Sequence, residues 1–122
     1  MPSPQRGEIW FTKMPTDPPE KGRRPVVIVS INARNSHPRS SSVLVVPLST
    51  SVHKEEIPVH LMLEPGQTGL AERVIARTED VSAVWKVQLD PPRGRLRTLS
   101  SQQVCELSRK VGIAMGCLPD ER

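Results

Sequence analysis

The sequence predicts a mainly β fold: short antiparallel strands forming a small barrel or a half-covered sheet, closed by one C-terminal amphipathic helix. Three observations carry this. Residues 25–31 and 42–48 are continuous apolar runs rich in β-branched side chains, as in strands buried on both faces. Residues 56–63 and 73–81 alternate apolar and polar side chains with the period of a strand. The clearest helical spacing comes last, where Val104, Leu107, Val111 and Ala114 recur on one face.

In chain order, residues 7–13 form a first strand, with Ile9 and Phe11 on one face and Trp10 on the other. Residues 14–23 contain three prolines and Gly22, which excludes regular structure and predicts a long exposed loop. Pro25 opens the second strand, where a missing amide costs least. Residues 31–42 are a polar loop before the third strand. The fourth strand, 56–63, directs Ile57, Val59, Leu61 and Leu63 to one face, and Pro58 marks an edge or a bulge. A turn at 65–69 leads to the fifth strand, 73–81. Its alternation places Arg77 and Glu79 on one face.

Residues 82–89 admit a short helical turn around Trp85, and 90–94 form a hard break. Residues 95–99 read as a last strand, with Arg95 and Arg97 on one face. Ser100 and Gln103 then fit a capping box, Leu99 and Val104 a hydrophobic staple, and Gly116 a helix stop.

A chain of 122 residues has the length of one domain, here 1–122. No apolar run approaches the ~18 residues of a membrane span, and the start lacks the apolar core of a secretory signal. Cys105 and Cys117 lie about 18 Å apart along the predicted helix, too far to bond. Reduced thiols in a cytoplasmic protein are expected. No Cys/His spacing suggests a metal site, so neither metal nor cofactor is expected.

The formal charge of +4 is unevenly spread. Residues 1–39 hold seven Lys/Arg against three acids, residues 91–122 six against three, and the middle four against seven. Basic ends suit a polyanionic partner. With only Trp10, Phe11 and Trp85 as aromatics, a platform that stacks successive bases is not expected.

Candidate site residues fall at strand ends. Arg24 begins the second strand, and Ser49 and Thr50 end the third. If these strands are antiparallel neighbours, the guanidinium and the two hydroxyls meet on one rim as an anion site. The alternative is two core strands with a solvated arginine. Arg77 and Glu79 likewise read as a proton-transfer pair or as a surface ion pair. His53 and His60 read as solvated strand-end residues, and His37, in the polar loop, as a weak candidate for a ligand contact or an acid.

The order of RGEIW, an Arg-Pro opening an apolar strand, a strand ending Pro-Leu-Ser-Thr, and a terminal Thr-Leu-Ser plus helix resembles the MazF/PemK/Kid family of toxin ribonucleases. The resemblance spans roughly residues 5–116. It implies an SH3-like, CcdB/Kid-type barrel with a C-terminal helix, working as a homodimer. It also implies metal-free cleavage of single-stranded RNA, silenced by a cognate antitoxin with an acidic tail. By position, the resemblance implies catalytic roles for Arg24, Ser49, Thr50, Arg77 and Glu79. Glu79 would be the base, the arginines phosphate binders and the hydroxyls oxygen donors.

Two departures stand out. The family's Asp-Gln-Ile-Arg-Thr run is here Glu79-Asp80-Val81-Ser82-Ala83, which loses an arginine, and the first long loop has no histidine. Two other functions fit the same barrel: a toxin that poisons gyrase through its C-terminal tail, and an RNA-binding module without catalysis. The pairing of Arg24 with Ser49 and Thr50 argues against the gyrase poison, which has no need of it.

Overall fold

β3 (Ser42–Ser49) organises the sheet because three other strands pair with it. The computed structural model describes residues 3–51, 59–92, 94 and 96–117. β1 (Ile9–Thr12) pairs with β2 (Arg24–Ile28), and β2 with one edge of β3, Val26 lying opposite Pro47. The other edge of β3 is shared. Its first half pairs with β6 (Ser82–Trp85), and its end pairs with β5 (Val74–Arg77). β4 (His60–Leu63) completes the antiparallel set beside β5. Pro47 stands between the β6-paired and β5-paired stretches of β3, where its missing amide interrupts no ladder.

The centres of the apolar runs, Val26, Val27 and Ile28 and then Val43, Val45, Val46 and Leu48, are buried on both faces, whereas β2 ends before Ile31, which is exposed. One cluster joins Ile9, Val27, Val46, Leu48, Leu63, Val74, Ala76 and the helix residues Val104 and Leu107. The other joins Trp10, Met14, Val26, Ile28, Val43, Val45, Val84 and Leu89. Around this second core the chain makes a ring. β6 runs through a 3-10 turn (Lys86–Gln88) to Asp90, which exchanges two backbone hydrogen bonds with Phe11 of β1 at 3.0 and 2.7 Å. The barrel is therefore partly open: a single bridge returns the ring to β1, while β4 and β5 branch off the far half of β3.

The C-terminal helix α3 (Ser101–Ala114; α1 and α2 are given below) has the predicted cap. Ser100 Oγ accepts from the Gln103 amide, and the Gln103 side chain accepts from the Ser100 amide. Such a cap contributes about 1 kcal/mol. Gly7 locks the preceding segment to the sheet. Its amide donates to Ile28 O and its carbonyl accepts from Leu99 N. Its φ of +93° and the Leu99 carbonyl, 2.8 Å from where a Cβ would stand, leave room for glycine alone.

Five expectations change. Ser82–Trp85, expected to lie in a helical turn around Trp85, are strand β6, and the 3-10 turn follows at Lys86–Gln88. Strand five ends at Arg77, and Thr78–Asp80 form a 3-10 turn. Residues 96–99 are not a strand: Arg97 N and Leu99 N each make a lone bond, to Thr68 O and Gly7 O, with no ladder beside them. The polar loop holds one helical turn, α1 (Asn32–Asn35), tied down by buried Asn35, whose amide donates to Ser30 O and Asn32 Oδ1. The turn at 65–69 is likewise a helical turn, α2 (Pro65–Thr68), ended by Gly69 in the left-handed region. The start of strand four (Ile57, Pro58), His53 and Arg95 lie outside the described residues. Among the described residues no helix is long and apolar enough to cross a membrane.

Candidate active site

Alternation and register place the predicted residues on one face. Val26 and Ile28 point into the core that also takes Val43 and Val45. Arg24, two residues before Val26, and Ser49, four after Val45, therefore share that face. Ser49 lies opposite Ile75, which carries the same face to Arg77, and Arg77 lies opposite His60. The Val26–Pro47 register brings Arg24 across from Ser49, so the strand ends do meet. Arg24 and Arg77 stand on either side of β3, roughly 10 Å apart by strand spacing.

The arginines have different surroundings. Arg24 Nη1 donates to both carboxylate oxygens of Asp17, at 2.9 and 3.2 Å, and Nη2 donates to Leu48 O at 3.1 Å. The two side chains keep only 11% and 9% of their exposure, and Arg24 Nε is buried without a partner. Neither hydroxyl takes part. Ser49 Oγ accepts from the Ser51 amide at 3.1 Å, and Thr50 is exposed beyond the strand end. Asp17 comes from the proline-rich loop, so that loop neutralises the arginine as well as connecting two strands.

Arg77 closes β5 and is 40% exposed. Its Nη2 lies 3.9 Å from Glu79 Oε2, and its Nε 3.4 Å from Asp80 Oδ2. The same Glu79 oxygen is 2.7 Å from His60 Nε2. Arg77 and Glu79 are neighbours, though for a reason other than strand alternation. The 3-10 turn begins at Thr78, whose buried hydroxyl bonds to the Val59 carbonyl, and it folds Glu79 back over the start of β4. His60, expected to be solvated, keeps only 9% of its side-chain exposure. Its signal in the sequence was the hairpin: pairing Leu63 with Val74 across the turn brings His60 opposite Arg77. For Asp17, seven residues before Arg24 and flanked by prolines, no spacing rule gives a signal. Ser82, at the position of the missing arginine, donates its hydroxyl to Asp80 O.

Beside Arg24 lies a cleft of about 510 Å³ between the first loop and β6, with Lys13, Asp17, Arg23, Val84, Trp85 and Gln88 in its walls. Trp85 is 56% exposed there. Arg23 is anchored to Asp90 and to the Gln88 carbonyl. A wall with two cations and an exposed indole suits a nucleic-acid strand.

A family model described as the PemK-like, MazF-like toxin of type II toxin-antitoxin systems matches residues 5–115. Over 114 residues the chain is 25% identical to Endoribonuclease MazF of Staphylococcus saprophyticus, covering 92% of this chain and 91% of that one. Among solved structures it is similar to an endoribonuclease from Mycobacterial species, with a TM-score of 0.71, 23% identity and 98% of each chain covered. A second such structure, an endoribonuclease in complex with its cognate antitoxin, gives 0.69 and 24%, covering 96% of this chain and 98% of that one. At these identities the structural likeness speaks for the fold. The match to the family model spans nearly the whole chain, and on it this protein belongs to the PemK-like, MazF-like toxins of type II toxin-antitoxin systems.

Proposed function

We propose that this MazF-type toxin is an endoribonuclease that cuts single-stranded RNA at selected sequences, without a metal, by attack of the ribose 2′-OH on the adjacent phosphorus. One observation carries the reading. Glu79, a carboxylate 34% exposed, sits between a guanidinium and an imidazole on the sheet face that also presents Arg24 and Ser49. Such cleavage needs a base for the 2′-OH and fixed positive charge for the phosphorane-like transition state. Glu79 takes the 2′-OH proton as the 2′-oxygen bonds to phosphorus, the P–O5′ bond breaks, and the departing 5′-oxygen takes its proton from water. Arg77 and Arg24 supply planar donors to the phosphate oxygens. The Ser49 oxygen already accepts from Ser51, which leaves its O–H for a non-bridging oxygen, and Thr50 offers a second hydroxyl. The anionic phosphate competes with Asp17 for Arg24.

The test is cleavage of a long RNA in EDTA, with the ends mapped and their chemistry identified. A small set of recurring sites, 2′,3′-cyclic phosphates and 5′-hydroxyls are expected. Glu79→Gln lowers kcat by about 10² to 10⁴, the range of a lost general base. Cleavage that depends on added metal, degradation without preferred sites, or full activity in Glu79→Gln would overturn the reading.

The partner is a cognate antitoxin whose acidic, partly disordered tail lies along the basic cleft and competes with RNA. Undiminished RNA binding at saturating antitoxin would remove that idea. The working form is a homodimer. Partial coverage supports it: Val111 packs only partly against the core and Met115 is 76% exposed. A sedimentation mass of one chain at micromolar concentration would contradict it. The place of action is the cytoplasm, where its RNA substrate is found.

A further inference from the structure

The exposures of His60 and Glu79 differ in a way that divides their roles. His60 keeps 9% of its side-chain exposure and Glu79 keeps 34%, so the carboxylate faces outward and the imidazole lies behind it. His60 Nε2 is 2.7 Å from Glu79 Oε2. An ionised carboxylate is an acceptor only, so this contact requires the proton on Nε2. Arg77 approaches the same oxygen, at 3.9 Å. The imidazole hydrogen bond and the Arg77 ion pair thus both address Oε2, and among the described residues Oε1 has no hydrogen-bond partner. We propose that His60 is a positioning residue for RNA cleavage, which holds Glu79 through Oε2 so that Oε1 takes the ribose 2′-OH proton.

This inference rests on the proposed role of Glu79 as the base. The fold fixes the geometry from both sides. The β4–β5 register sets His60 opposite Arg77, and the buried Thr78 hydroxyl on the Val59 carbonyl pins the turn that carries Glu79. Among the described residues, the charged groups around the imidazole are Arg77 from β5 and Glu79 and Asp80 from the turn. α3, which packs on that turn, carries Glu106, Arg109 and Lys110, and both cations pair with Glu106. An exposed carboxylate on a one-turn segment samples many orientations, and a misplacement of about 1 Å is enough to cost ~10²-fold in rate. A buried imidazole behind it removes that freedom. His60 itself is too enclosed to reach the substrate.

The test uses full-length protein and an RNA oligonucleotide with a single mapped site. His60→Leu is expected to lower kcat roughly 10- to 100-fold with KM within a factor of two. His60→Gln, whose amide again offers a donor to Oε2, is expected to recover most of that loss. Thermal melting and RNA binding by both variants check that the fold is intact. In a Glu79→Gln background, His60→Leu is expected to change the residual rate less than twofold, because residues that act as a unit are not additive. Wild-type kcat in His60→Leu would overturn the proposal. So would an equal loss in the Glu79→Gln background, or a loss in KM alone. These failures are distinct from failure of the base assignment, in which Glu79→Gln itself retains full activity.

Discussion

Arg24 and Arg77 lie on one sheet face on either side of β3, yet the protein treats them differently. Arg24 is enclosed, donates from Nη1 to both carboxylate oxygens of Asp17 and from Nη2 to a backbone carbonyl. Arg77 is 40% exposed, and its two acidic neighbours stand 3.4 and 3.9 Å away. Depth decides what each can do. A charge held at 11% exposure is part of the framework, and its removal leaves Asp17 buried and uncompensated. A charge in solvent contact contributes little to stability, and although Arg77 Nε is buried, its Nη groups stay available to an incoming phosphate. The same residue type thus serves mainly to build one half of the site and mainly to bind in the other.

Stability measurements break or sharpen that contrast. Arg24→Ala is expected to cost about 3–5 kcal/mol of unfolding free energy, the usual penalty for stripping one partner from a buried pair. Arg77→Ala is expected to cost no more than about 1 kcal/mol. Both lower RNA cleavage. Urea unfolding of the two variants beside the wild type checks this, and equal losses would show that depth does not separate them.

Asp17 gives the next effect. Asp17→Ala lowers stability, but combining it with Arg24→Ala adds less than the sum, with a coupling of about 0.5–3 kcal/mol. The same substitution removes the carboxylate that competes with phosphate, so RNA binding by Asp17→Ala tightens about tenfold or more. A double-mutant unfolding cycle and a binding titration at fixed salt measure the two effects. Additive unfolding losses with unchanged affinity would mean that the pair is a bystander.

How far these sites were legible in the sequence follows from which signals are local. Both apolar runs were readable as strands buried on two faces because β-branched residues leave few other options, and Val43, Val45, Val46 and Leu48 do divide between two cores. The helix cap was readable because Ser100 and Gln103 are three residues apart. The pairing of Arg24 with Asp17 was not, since it depends on how a proline-rich loop returns across the sheet. The Arg77–Glu79 pair shows a different limit. Alternation put the two on one face, and they are neighbours, but Thr78 starts a 3-10 turn that cancels the strand argument. His60 lay on the polar side of a strand that could only be completed by its hairpin partner. The last predicted strand, around Leu96–Leu99, failed because apolar spacing over so few residues does not specify a ladder partner.

The smallest effect calibrates the rest. On α3, Glu106 Oε1 accepts from Arg109 Nη2 at 2.7 Å, three residues on, with Lys110 at 4.0 Å. The Arg109 hydrogen bond, partly opposed by burial, holds the Glu106 carboxyl below its ordinary range. A carboxylate with a depressed folded-state pKa stabilises the protein above its unfolded pKa of about 4.3, and the contribution disappears as pH falls through the folded value. Glu106→Gln is therefore expected to lower Tm slightly at pH 7, by the equivalent of about 0.2–0.5 kcal/mol for an exposed helix pair. That deficit should close as the pH is taken down through the acidic range. Melting curves of both proteins between pH 7 and pH 3 test the sign. If the deficit at pH 7 rivals that of Arg24→Ala, solvent-exposed pairs in this molecule are worth as much as the enclosed one, and the depth argument for the two arginines falls with it.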